Sequence, residues 1–149
     1  MKKIKSIFLS VAVVAVFSLA CTQQANAQGA AGHIYHMHTW YSQTGLDSAA
    51  RADRNAVLKE YHEKVTMKNE FVTHSWSMAH YYSDDSREFV TVDEFANWGD
   101  IDKANNRSEE LERAAWSDPK QRAAFMKKMD SYFTSHKDAI YNAMPALTK

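Results

Sequence analysis

Cysteine is almost missing from this chain: its 149 residues hold one, Cys21, so no intrachain disulfide can form and the fold must rest on its core, on oligomerisation or on a ligand. Proline and glycine are equally scarce, two and four, which excludes a collagen-like or low-complexity chain. No block of Lys and Arg tracks along any segment, and 18 basic residues balance 18 acidic ones, so nucleic acid is not an expected partner. There is no G-x-S-x-G, no phosphate-binding glycine loop and no paired-carboxylate signature. What remains is a 45% hydrophobic, 24% charged sequence of 17.0 kDa, enough for one domain with one core.

The apolar residues are not evenly spread. Met1-Lys2-Lys3-Ile4-Lys5 is basic, an apolar run broken only by Ser10 and Ser18 follows to Ala20, and Ala25-Asn26-Ala27 offers small residues at alternate positions. The run is short for the ~30 Å of a bilayer core, and no stop-transfer cluster follows it. The order reads as a signal peptide over residues 1–27, cut before Gln28, with export to the periplasm or the outside of the cell and no transmembrane span. Ser18-Leu19-Ala20-Cys21 is the alternative, a loose lipobox that would lipidate Cys21 and hold the protein on a membrane. Cleavage before Gln28 removes three lysines and leaves 15 basic against 18 acidic residues, a net charge of −3.

Beyond a flexible leader at 28–32, a domain is expected over 33–149. Residues 33–41 (HIYHMHTWY) are aromatic and poor in helix formers, which predicts a strand. From Ser48, Ala50, Val57, Leu58, Tyr61 and Val65 recur at helical spacing to about Met67. Residues 70–82 (EFVTHSWSMAHYY) alternate large and small side chains, a polar turn follows, and 88–95 (EFVTVDEF) complete a hairpin. Ile101, Ala104, Ser108, Leu111 and Ala115 mark a helix behind Asp100 as N-cap. Asp118-Pro119 starts another, whose stripe Phe125, Met129, Tyr132, Phe133 and His136 predicts helix through His136, with a last strand over 138–144. The order β-α-β-β-α(α)-β is ferredoxin-like, an α+β fold with a four-stranded antiparallel sheet and its helices on one face. Both faces of the first strand are apolar, Tyr35, Met37 and Tyr41 on one and Ile34 and Trp40 on the other, so a second copy is the expected cover and a homodimer the expected assembly.

This order, the run Phe95-Ala96-Asn97-Trp98 leading into the helix at Asp100, and the tail from Tyr132 to Tyr141 resemble the dimeric α/β-barrel superfamily, with its stress-responsive barrel, antibiotic-biosynthesis monooxygenase and NIPSNAP-like groups. The resemblance covers residues 34–144 and implies a dimeric barrel. It implies no single activity, because members include cofactor-independent oxygenases, haem-degrading enzymes and proteins without a known reaction.

Seven histidines are the main chemical signal. Alternation puts His36, His38 and Trp40 on one face of the first strand and His74, Trp76 and His80 on one face of the second. Together these six are expected to line one cavity that binds a small aromatic or apolar molecule, with an oxygenase-type enzyme as the alternative. Stacked, hydrogen-bonded core histidines would leave the same pattern. No cofactor is expected, and two alternatives stand beside that expectation. His36-x-His38 sets two imidazoles about 6.6 Å apart along a strand, a spacing zinc or non-haem iron uses, but the motif supplies no third ligand. His136, on the stripe of the last helix, is the alternative axial ligand for haem. Asp93 and Glu94 alternate faces, so only one can point at the same space as the histidines of the first strand, and solvent exposure near a strand end is the expectation for either.

Overall fold

The computed structural model describes residues 32–147; the expected signal peptide and Cys21 lie outside the described residues. Four strands and three helices follow in the order β1 (Ile34–Ser42), α1 (Ser48–Lys64), β2 (His74–Ala79), β3 (Glu88–Phe95), α2 (Gly99–Ala115), α3 (Pro119–Asp130) and β4 (Phe133–Asn142). Short 3-10 turns at Thr66–Lys68 and Pro145–Leu147 complete them. The strands form one antiparallel sheet in the order β2-β3-β1-β4. That is the expected ferredoxin-like topology.

Each boundary has a local cause. Asp47 accepts a hydrogen bond from the Ala50 amide and opens α1, and Asp118 does the same from Lys120 to open α3, where Pro119 fits the first turn. The N-cap of α2 is Trp98, without a side-chain cap; Asp100 lies inside the first turn and binds Asn97 and Lys103. Gly32 begins the fold: a Cβ there would fall 2.2 Å from the Ala143 carbonyl oxygen, while Ala143 donates its amide to the His33 carbonyl at 2.8 Å.

Two expected boundaries move. Helix α3 ends at Asp130 and β4 begins at Phe133, so His136 is a strand residue and not a helix-borne haem ligand. The 3.6-residue spacing of Met129, Tyr132, Phe133 and His136 competes there with the nine-residue partner strand β1, whose antiparallel ladder with β4 runs from Ser42 opposite Phe133 to Ile34 opposite Asn142. Strand β2 is shorter than its alternation, because β3 offers partners only from Phe89 to Glu94.

The helices cover one sheet face with two separate apolar clusters. Ile34, Phe95 and Ala104 pack with Phe71, Val72 and Ile101. Val65, Leu111 and Trp116 pack with Tyr61, Phe125 and Met126, the Trp116 and Phe125 rings stacking at 4.1 Å. Asn69, only 4% exposed, ties the turn after α1 to α2 by donating to the Ala104 carbonyl and Ser108.

Candidate functional site

Residues directly opposed in an antiparallel ladder share a face, so the register decides which side chains can meet. His36 opposes Asp93, which opposes Ser75; His38 opposes Thr91 and then Ser77; Trp40 opposes Phe89 and then Ala79. On β4 the same row continues through Ile140, Asp138 and His136. The other face carries Tyr35, Glu94 and His74 in one row, and Met37, Val92 and Trp76 in the next. The expected group of six therefore divides. His36, His38 and Trp40 face the helices; His74 and Trp76 face away from them, and His80 lies past the end of β2, bound to Ser83. Each strand's alternation reads correctly, but the phase between strands depends on a register that puts odd β1 positions beside even β2 positions.

Between the helices and the sheet lies a cavity of about 480 Å³, bordered by Val72 of the first apolar cluster and Tyr61 of the second. Trp40, Leu58, Phe89, Met129 and Phe133 give it aromatic and aliphatic walls. His38, Tyr61, Asp93 and Glu112 supply polar groups. Trp40 is held by its indole N–H, which donates to Thr91 Oγ1 at 3.3 Å, and by Phe133 at 5.4 Å between ring centroids. The Tyr61 hydroxyl donates to Glu112 Oε1 at 2.9 Å. Burial, then the Glu112 charge, pushes the phenol well above its ordinary pKa and keeps it a proton donor. The cavity is partly open to solvent, and Asn69, Ser75, Ser77, Asn105 and Ser108 add further polar groups to its lining, so its aromatic side suits the ring of a planar ligand and its polar side that ligand's oxygens.

His38, which lines this cavity, also belongs to a histidine cluster shared by β1 and β4. The His36 and His38 rings lie 3.9 Å apart, His38 Nδ1 meets Asp138 Oδ1 at 2.7 Å, and His136 Nε2 lies 3.3 Å from Asp138 Oδ2. Trp40 packs against His136 at 4.8 Å. Burial, then the neighbouring His38, lowers the pKa of His36 and favours neutral imidazole. Burial works to raise the Asp138 pKa, but the hydrogen bond from His38 and the surrounding histidines outweigh it and hold the carboxyl below its ordinary value. Sequence spacing finds His36 and His38 but not Asp138 or His136, because the third and fourth members come from a strand a hundred residues away.

On the opposite face Glu94 is the hub. It is 6% exposed and accepts from the Tyr35 hydroxyl at 3.0 Å, meets His74 Nδ1 at 2.6 Å, and is bonded to His33. The expectation that Glu94 is a solvent-exposed strand-end residue is thus corrected: three partners, two around the start of β1 and one in β2, compensate its burial. Trp76 stacks on both His74 and Tyr35 beside it. Trp76, Met78 and Tyr141 remain 43%, 46% and 55% exposed on this face.

The four-stranded antiparallel sheet with its helices on one face is a ferredoxin-like fold. Among solved structures the chain is similar to a NIPSNAP family protein of unknown function from Agrobacterium tumefaciens, with a TM-score of 0.50 and 15% identity over 75% of this chain and 88% of that one. It is similar also to a candidate antibiotic biosynthesis monooxygenase from Caulobacter crescentus, with a TM-score of 0.51 and 11% identity over 77% of this chain and 92% of that one. At such identities the likeness is one of fold. No protein-family model matches the chain, and no curated protein sequence matches it.

Proposed function

We propose that this is an exported homodimeric barrel protein that binds a small aromatic or apolar molecule in the cavity between sheet and helices. The observation that carries the reading is the cavity itself: about 480 Å³ lined by Trp40, Phe89 and Phe133, with Tyr61, His38 and Asp93 as the orienting polar groups. That volume lies within the ~300–1,000 Å³ typical of small-molecule sites. Ligand binding is therefore assigned to His38 and Trp40 with the helix residues opposite, and not to His74, Trp76 or His80. Export is supported by the basic start, apolar run and Ala25-Asn26-Ala27; the homodimer is supported by the exposed Trp76, Met78 and Tyr141 on the sheet face that the helices leave open.

The second reading is an oxygenase-type enzyme on the same cavity. It is favoured by acid–base groups beside the cavity's aromatic wall, Tyr61 paired with Glu112 and Asp93 near them. The test of binding uses 2-naphthol, a planar probe of fitting size, and intrinsic tryptophan fluorescence. Saturable quenching is expected, and Ser77→Phe, which fills the slot from the edge strand, should abolish it while leaving the circular dichroism unchanged. Equal quenching in that variant would refute the cavity as the binding site. Consumption of dioxygen with the bound probe would favour the enzyme.

A further inference from the structure

We propose that His36, His38 and Asp138 bind one divalent ion of the first transition row, with His136 holding the second carboxylate oxygen. Each of the three offers a ligand atom, and those atoms lie within 4.8 Å of one another. In a zinc site with Zn–N near ~2.0–2.1 Å, ligand atoms stand roughly 3.3–3.5 Å apart. The cluster needs to close by roughly 1.3–1.5 Å at its widest, a shift on the scale of side-chain rotation. Two imidazoles and one carboxylate are the donor set that suits zinc or ferrous iron and leaves coordination positions free.

The backbone explains why the donors converge. His36 and His38 are alternate residues of β1, and His136 and Asp138 are alternate residues of β4. The ladder sets His38 directly opposite Asp138 and Trp40 opposite His136, so all four side chains share the helix-facing side. Sites carried on paired strands are held more precisely than sites on loops. The neighbours supply what such a site also requires. Asp138 and His136 side chains are 45% and 51% exposed, which leaves an entry path, whereas His38 is 23% exposed and borders the cavity, so a metal held there would sit at the cavity's edge. Asp138 Oδ2 is engaged by His136, the kind of outer contact that orients a ligating carboxylate. The inference is independent of what the cavity binds, because its test uses the metal alone.

The experiment is equilibrium dialysis and calorimetry of the untagged full chain, freed of metal by chelation, against Zn²⁺, repeated with Co²⁺ for its visible spectrum. One equivalent is expected to bind, with cobalt bands of a nitrogen- and oxygen-ligated ion. His36→Gln, His38→Ala and Asp138→Asn should each weaken Zn²⁺ binding by on the order of 100-fold or more, and His136→Ala by about 10- to 100-fold, the cost of losing an outer contact. His62→Ala and His80→Ala should change nothing. Should His38→Ala fail to fold, the isosteric Asp138→Asn, read by the zinc-induced rise in melting temperature, decides alone. No uptake by the wild type, uptake unaffected by Asp138→Asn, or loss of uptake in His80→Ala would overturn the proposal and leave the four residues a hydrogen-bonded network.

Discussion

Replacing Glu94 by glutamine removes a charge that three partners surround and leaves the side chain's shape intact. The carboxylate is 6% exposed and bonded to His33, Tyr35 and His74. Hydrogen bonds to a charged group contribute roughly 1.5–3 kcal/mol and neutral ones about 1 kcal/mol, and His33 and His74 can turn to water when the charge is gone. The expected cost at pH 7 is therefore about 1–2 kcal/mol, a fall of roughly 3–10 °C in melting temperature for a domain of this size. The pH dependence supplies the sharper test. Burial opposes ionisation of Glu94, but the hydrogen bonds from His33, Tyr35 and His74 prevail and bring its pKa below the ordinary 4.5. A depressed carboxyl stabilises the fold above the unfolded-state pKa and loses that contribution as pH falls through the folded one. Thermal melts of the two proteins should differ fully at pH 7 and converge as the pH drops below 4.5 toward the acid limit. A gap between wild type and Glu94→Gln that stays constant over that range would refute the claim that the anion is what the cluster stabilises.

Two further substitutions test the frame around the cavity. Asn69→Ala removes the donor to Ala104 and Ser108 and the acceptor of the Phe71 amide, and should cost about 1–3 kcal/mol in urea denaturation with no change in slope. Asp118→Ala removes the cap of α3 and should cost about 1 kcal/mol, with the quenching by 2-naphthol weakened because Met129 and Asp130 at the far end of that helix wall the cavity.

The element order was legible because hydrophobic period is a local property: β3 reads as Glu88–Phe95 from alternation alone, and Asp118-Pro119 announces α3. What was not legible depends on partners distant in sequence. Phe133 and His136 satisfy a helical spacing as well as a strand one, and only the ladder to β1 decides between them. The candidate site failed in the same way. Nothing inside residues 74–79 says whether His74 shares a face with His36 or with Tyr35; Glu94, opposite both Tyr35 and His74, settles it. The pairing of β3 with β1 and β2 separates His74 and Trp76 from the cavity, whereas the pairing of β1 with β4 brings Asp138 opposite His38 and His136 opposite Trp40.

The same register makes the homodimer testable without touching the site. Met37, Val90, Val92, Trp76 and Met78 form an apolar patch on the face away from the helices, with Tyr141 across β4. An antiparallel sheet can leave a polar face to water, but this face carries an apolar patch between the Glu94 and His74 row at one end and Glu88 at the other. A specific dimer interface needs about 800 Å² from each partner, and one face of a four-stranded sheet is of that order. Trp76 and Met78 are 43% and 46% exposed on the edge strand, so changing both to lysine should alter the stability of one copy only slightly, whereas two facing sheets would bury four added charges. Light scattering at micromolar concentration should give twice the chain mass for the wild type and a single chain mass for Trp76→Lys/Met78→Lys, with zinc uptake at the opposite face retained. A wild type that is monomeric, or a double variant that remains a dimer with an unchanged dissociation constant, would place the interface elsewhere and remove the reason given for the apolar open face.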